Sequence, residues 1–249
     1  MFDVEFLNRL RRSELGCCVD ELRTGARILE FGAGTGIQAK ELAEMNFDVV
    51  AIDMLASGYS QSRVFPVIDY DGVSIPLPDS SVDIVYSSNV LEHVENLPAI
   101  FSEFRRVLKP GGYCVHLMPS VVWRFWTFVT GVPTSIVAAS IVFRDLFHPP
   151  EGASRMKSLL MNTKTMLGAL LPIGHGVSKE GVSELWTFST VSWKKRFRKH
   201  GFEIRSVRPI ELFHTGHMVL GSRLSIPTRK WLASKLGSAA NVYIVYPQS

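Results

Sequence analysis

The sequence predicts an α/β protein: a doubly wound, mostly parallel sheet with a helical insertion after its fifth strand. Three observations carry this expectation. Residues 28–53, ILEFGAGTGIQAKELAEMNFDVVAID, read as strand, glycine-rich loop, helix and strand. Short apolar runs at 64–68, 83–87 and 202–207 stand between helical patterns, the alternation that builds a parallel sheet. The 249 residues are 46% hydrophobic with a mean hydropathy of +0.14, which suits one α/β domain with a sizeable insertion and argues against disorder.

The first 24 residues place Phe2, Phe6, Leu7 and Leu10 at helical spacing with Arg9, Arg11 and Arg12 between them. This predicts an amphipathic helix on the sheet or over the mouth of a site, with a membrane-surface helix as the alternative. A formal charge of +4 and a pI near 9.0 permit an anionic partner without demanding one. Cys17, Cys18 and Cys114 have no metal-ligand spacing and read as reduced thiols of a cytoplasmic protein.

Arg27 to Phe31 is the first strand. Gly32 and Gly34 follow where the chain must turn sharply and a ligand can approach the backbone, and the first N–H groups of the next helix face the same point. That helix carries Ala39, Leu42, Ala43 and Met45 on one face, and Phe47 to Ile52 forms a buried strand ending in Asp53. A carboxylate there is where open parallel sheets hold ribose hydroxyls. A dinucleotide fingerprint needs a small residue at position 37, where Ile37 stands.

The string Glu30-Phe31-Gly32-Ala33-Gly34-Thr35-Gly36 resembles the first motif of the class I S-adenosylmethionine-dependent methyltransferases. Ile75-Pro76-Leu77-Pro78-Asp79-Ser80-Ser81-Val82-Asp83 resembles the LPFPDxSFD signature of their small-molecule branch. Leu91-Glu92-His93-Val94 resembles the L-x-H-V start of the following helix, and Arg106 to Gly112 resembles RVLKPGG, a turn into the fifth strand. The resemblance covers Ile28 to about Met118 in order and spacing. It implies a Rossmann-like sheet of seven strands, mostly parallel with an antiparallel edge strand, the latter falling on Val242 to Tyr246. It also implies S-adenosylmethionine as cofactor and S-adenosylhomocysteine as product, held by Glu30, Gly32, Ala33, Gly34, Thr35, Gly36, Asp53, Met54, Asp71, Gly72 and Asn89. In that scheme Asp71 meets the adenine amino group, Gly72 offers a backbone N–H, and Asn89 passes the methionine part. Asp69 is the rival for the adenine contact, and an Asx-type turn is the ligand-free reading of both aspartates. His93 either fixes its loop or acts as a base.

The divisions expected are an N-terminal helical segment at 1–24, the catalytic domain at 25–119 and 186–249, and an insertion at 120–185. Phe125 to Phe143 contains no charged residue, a length that raises the question of a membrane span. Gly131-Val132-Pro133 predicts two shorter helices instead. They would form a cap through Trp123, Phe125, Trp126, Phe128 and Phe143, or touch a membrane surface with Arg124 and Arg144 at the edges. His148 and His175 are further candidates to accept a proton. Their spacing with Glu180 and Glu184 is too loose for a metal site, and no metal is expected. Beyond the insertion, Ser189 or Thr190 caps a helix with Val191, Trp193 and Phe197 inward, while its Lys and Arg residues form a solvated face. His214 and His217 fall in a stretch with no assigned role, and nothing indicates a nucleic acid partner. The expected activity is methyl transfer to a small acceptor, apolar or lipid-linked, in the cytoplasm or at a membrane surface. The alternative is a silent methyltransferase-like module that binds a membrane or a protein through its apolar insertion.

Overall fold

The computed structural model describes residues 4–55, 57–147, 159–160, 163–164, 175, 183–216 and 221–248 of the chain. Seven strands form one sheet: β1 (Arg27–Phe31), β2 (Asp48–Met54), β3 (Val67–Tyr70), β4 (Val82–Ser88), β5 (Leu108–Pro119), β6 (Phe202–Pro209) and β7 (Ala240–Pro247). Their order is β3-β2-β1-β4-β5-β7-β6. Strands β1 to β5 pair in parallel, and β7 runs antiparallel to both β5 and β6. The antiparallel strand expected at this side of the sheet is therefore present, one place in from the rim, with β6 outermost. Strand order reverses between β1 and β4, so a crevice opens at their carboxyl ends, where ligands of doubly wound sheets bind.

Alternation along β1 shows how the sequence fills both layers. Leu29 and Phe31 face a core with Phe101, Phe104, Trp193 and Phe197, while Ile28 faces the opposite core with Phe6, Leu10 and Leu15. Helix α1 (Val4–Gly16) thus packs on the sheet through Phe6 and Leu10, as its spacing predicts. Helix α2 (Ile37–Glu44) follows the glycine loop, and α3 (Leu97–Val107) buries Ile100, Phe101, Phe104 and Val107 at helical spacing after an Asn96 cap. Arg106 on α3 clamps the 75–79 loop, donating to the Ile75 and Leu77 carbonyls and to Asp79 and Glu103. The two signature strings hold one another in place.

Helix α4 (Val121–Phe147) corrects one expectation, since it is continuous through Pro133. A proline inside a helix costs about 3 kcal/mol, whereas breaking the helix would require a second unfavourable nucleation. Hydroxyls also bond back onto carbonyls around the proline, Thr130 to Trp126, Thr134 to Thr130 and Ser135 to Gly131. Val121–Arg144 is long and apolar enough to cross a membrane. Yet β5 before it and β6 and β7 after it share one sheet, so a single crossing by α4 is incompatible with the fold. The short α5 (Ser183–Thr187) is tied to α4 by the buried Arg124–Glu184 pair at 3.0 Å.

Helix α6 (Thr190–Lys199) begins at Ser189, whose hydroxyl accepts from the Ser192 N–H, and buries Trp193 and Phe197. Val191, expected inward, is exposed, because only positions 193 and 197 share the face turned to the sheet. Helix α7 (Ile226–Leu236) completes the chain before β7.

Candidate functional site

The glycine loop leaves β1 and is fastened beneath β2. The Gly32 and Ala33 N–H groups donate to the Ile52 carbonyl at 2.9 and 3.0 Å, and the Gly34 N–H donates to the Asp53 carboxylate at 3.1 Å. Asp53 also accepts from the Met54 N–H. Gly32 has φ +76°, and a Cβ there would lie 2.5 Å from Val90, so the space is taken by protein. Gly36, at φ +73°, is similarly closed by Phe65.

Beside this loop, at the carboxyl ends of β1 and β4, lies a cavity of about 300 Å³. Of the residues singled out in the sequence, Gly32, Ala33, Gly34, Thr35, Asn89, His93 and His175 line it. Glu30, Gly36, Asp53, Met54, Asp71 and Gly72 do not. His148 lies outside the described residues. A larger cleft of about 720 Å³ sits between the end of β5 and α7, and none of the glycine loop lines it, so the smaller cavity is the candidate site.

Glu30 lies buried under the loop. Burial raises its carboxyl to about 8, against a lowering contribution from the Ala39 N–H at the start of α2. Asp71 is exposed and accepts from the Val73 and Ser74 N–H groups at 2.8 and 2.9 Å, an Asx turn that lowers its pKa. A Cβ on the neighbouring Gly72 would meet Met54 at 3.4 Å, so Met54 and the 71–72 turn stand together at the β2–β3 end. Asp69 is engaged elsewhere, by Arg63 at 2.6 Å.

The opposite wall is supplied by residues not singled out for the site. Helix α1 contributes Arg11 and Glu14, and the segment after β6 contributes His214 and Thr215. Glu14 is fully buried. It accepts from Arg11 at 2.6 Å and meets His214 Nε2 at 3.2 Å, with Ser88 and Asn89 at 3.4 Å. Burial alone would raise its pKa, but the Arg11 charge and the His214 hydrogen bond outweigh this and hold it at about 2. Asn89 has φ +55°, and its N–H donates to the Leu117 carbonyl, which fixes the chain as it leaves β4. The signal for Glu14 was present in the spacing: Leu7, Leu10, Arg11 and Glu14 share one helix face.

Trp123 on α4 closes the cavity, its ring 4.7 Å from His175, which lies 4.9 Å from His93. Although His175 is exposed by area, these rings enclose its imidazole and burial lowers its pKa to about 4, with His93 adding to the effect. Burial also lowers His93. The same burial favours the neutral form of both rings and makes them weaker bases than a free histidine. Of the aromatic side chains expected in a cap, only Trp123 lines the cavity; Phe125 and Phe143 are exposed, and Trp126 donates to the Leu236 carbonyl.

A family profile described as methyltransferase domain matches residues 29–116. A demethylmenaquinone methyltransferase of Corynebacterium efficiens is 36% identical over 96 residues, 37% of this chain and 41% of that protein. A malonyl-acyl-carrier-protein O-methyltransferase of Yersinia pestis is 38% identical over 93 residues, 36% of this chain and 35% of its own. The matches therefore span well under half of either relative. A solved SAM-dependent methyltransferase from Aquifex aeolicus aligns over 98% of this chain and 99% of its own with a TM-score of 0.52 at 15% identity, a likeness of fold.

Proposed function

We propose that this chain, whose residues 29–116 form a class I methyltransferase domain, transfers a methyl group from S-adenosylmethionine to a small acceptor that is apolar or lipid-linked. The observation that carries the reading is the cavity at the switch point of the sheet, which joins the glycine loop to a wall built from α1, α4 and His214. The residues present fit the cofactor. Gly32, Ala33, Gly34, Thr35 and Asn89 border the cavity where the amino-acid end would lie, while Asp53 at the end of β2 and Asp71 with Gly72 beside Met54 stand outside the cavity, on the side where the ribose and adenine would extend. When bound, the cofactor supplies a sulfonium methyl group. With that group in place, a nucleophilic acceptor held beside Trp123, His93 and His175 would receive the methyl group, the C–S bond opening toward sulfur. The protein aligns the acceptor, excludes water through Trp123, and offers His93 or His175 to take the acceptor's proton.

Leu7, Leu10, Ile37 and Trp123 give the acceptor side an apolar character. The relatives named for demethylmenaquinone and malonyl-acyl-carrier protein support an acceptor of small size. Helix α4 supports peripheral contact with a membrane from the cytoplasm. Its outer face shows Phe125, Val129, Val132, Ile136 and Phe143 exposed, while Arg124, Thr127 and Ser135 are buried. The buried face also carries Trp123 and Ala138, so the helix is apolar on its exposed side as well as its inner one.

Calorimetric titration with S-adenosylmethionine and S-adenosylhomocysteine tests the proposal, followed by methyl transfer to apolar hydroxyl, amine and carbon acceptors. Saturable binding of both ligands is expected. Absence of binding would replace the enzyme reading with that of a silent binding module.

A further inference from the structure

A second chemistry stands at the acceptor end of the cavity. Glu92 and His93 leave the end of β4 in a short helical turn, and His175 returns to them from the insertion. The ligating atoms of the three side chains lie within 4.8 Å of one another, with His93 Nε2 3.8 Å from Glu92 Oε1. Sequence spacing could not show this group, because His175 is brought in by the fold.

The Glu92 side chain is fully buried, and neither carboxylate oxygen has a hydrogen-bond partner among the described residues. Arg11, whose charge acts on it, is committed to Glu14 at 2.6 Å. A buried carboxyl group without a hydrogen-bond partner is costly, and burial pushes this one up to about 8, so it holds its proton near pH 7 and would give that proton up on ligating an ion. The two imidazoles beside it are uncharged donors facing the same point. His175 is also held from behind: its ring rests on Trp123, and its backbone N–H donates to Glu184, which is paired with Arg124.

We propose that Glu92, His93 and His175 form a binding site for a divalent transition-metal ion at the acceptor end of the cavity. Two imidazoles and one carboxylate suit zinc, cobalt, manganese or ferrous iron, whereas magnesium and calcium favour oxygen ligands. Neighbouring ligand atoms on an ion with bonds of about 2.1 Å stand roughly 3–3.5 Å apart, so the rings close by about 1 Å on binding. Three protein ligands leave a coordination position open, and His93 and His175 both line the cavity shared with the glycine loop. The acceptor class follows, resting on the methyl-transfer reading: a molecule with a hydroxyl group that binds the ion. With the ion held, His93 and His175 would be ligands and not bases; the ion would lower the pKa of that hydroxyl so that its proton leaves to solvent, and the oxygen would take the methyl group as the C–S bond opens toward sulfur.

The test is titration of tag-free, EDTA-stripped full-length protein with Co²⁺, followed by visible absorption, with zinc content measured after dialysis. One equivalent of ion and the appearance of d–d bands are expected. His175→Ala and Glu92→Gln should each weaken Co²⁺ binding by ~100-fold or more, since even outer-sphere partners are worth ~10–100-fold. S-adenosylhomocysteine affinity is measured on the same samples, and the far-UV circular dichroism of His175→Ala should match the parent's, which separates loss of the ion site from loss of the fold. No saturable Co²⁺ spectrum, or an identical one in His93→Ala and His175→Ala, would overturn the metal site. Cobalt binding without S-adenosylhomocysteine binding would keep the site and remove the methyl-transfer reading, and the converse would do the opposite.

Discussion

Replacing Gly32 with alanine separates the packing function of the glycine loop from its ligand function. The added Cβ would lie 2.5 and 2.6 Å from the two Val90 methyl groups and 3.1 Å from the Val90 Cβ. Those are stiff, branched atoms of a half-buried side chain, so the contact cannot be relieved by a rotamer change alone. Overpacking of this kind costs about 1–3 kcal/mol, and the left-handed backbone at φ +76° adds about 1–2 kcal/mol for alanine. The expected loss is about 2–5 kcal/mol, a fall in Tm of about 4–20 °C for a chain of this size. At Gly34 the same Cβ meets only the Tyr59 ring at 3.6 Å, an ordinary contact, so Gly34→Ala should lose only the backbone part. Urea unfolding of Gly32→Ala, Val90→Ala and the double variant tests the reasoning. Removing the Val90 methyls should return the packing part, giving a coupling energy of about 1–3 kcal/mol in the cycle. Strict additivity, or equal losses for Gly32→Ala and Gly34→Ala, would refute the assignment of Gly32 to the Val90 contact. Because Val90 follows Asn89, Gly32→Ala should also weaken S-adenosylhomocysteine binding.

Three further outcomes follow from charge and exposure. Glu14 is held at about 2 against an ordinary value of 4.5, so the folded state binds fewer protons than the unfolded chain between these pH values. It contributes about 3 kcal/mol above pH 4.5, lost as pH falls toward 2; Glu14→Gln should flatten that acid limb in urea unfolding, and an unaltered limb would count against the buried network. Glu30 has the opposite sign: with its carboxyl at about 8, stability is full below pH 4.5 and declines as pH rises through 8, by about 5 kcal/mol at most. Glu30→Gln should therefore be more stable than the parent at pH 9 and show no such gain at pH 4; a pH-independent difference would sink the assignment. On α4, Phe125→Gln with Ile136→Gln should change stability by no more than about 0.5 kcal/mol per site, since both are exposed, while reducing cosedimentation with anionic vesicles. Unchanged vesicle binding would remove the outer face of α4 from the membrane reading.

The fold around the glycine loop was legible because its signals are local. Glycines at 32, 34 and 36, the period of α2 and the apolar run of β2 each act over a few residues and are recorded there. The expected break at Pro133 failed because a local rule met a longer-range cost: restarting a helix is dearer than carrying one lost hydrogen bond. Val191 failed similarly, since apolar type alone does not choose the face that the sheet covers.

The opposite wall of the cavity was less legible for a physical reason. Its wall joins Arg11 and Glu14 of α1 to Trp123 of α4, His175 of the insertion and His214 after β6, segments separated by most of the chain. A carboxylate such as Glu14 tolerates full burial only because Arg11 and His214 reach it together, and no single segment contains that set. Glu92 poses the same question without the answer supplied by side chains: it is as deeply buried, adjacent to an imidazole, and has no donor of its own. The contrast separates two uses of a buried acid. Glu14 is satisfied internally and ties α1 to the end of β4, so its role is to shape the wall. Glu92 has no such internal partner, and the proposed ion would be what satisfies it, with His93 and His175 as its other ligands.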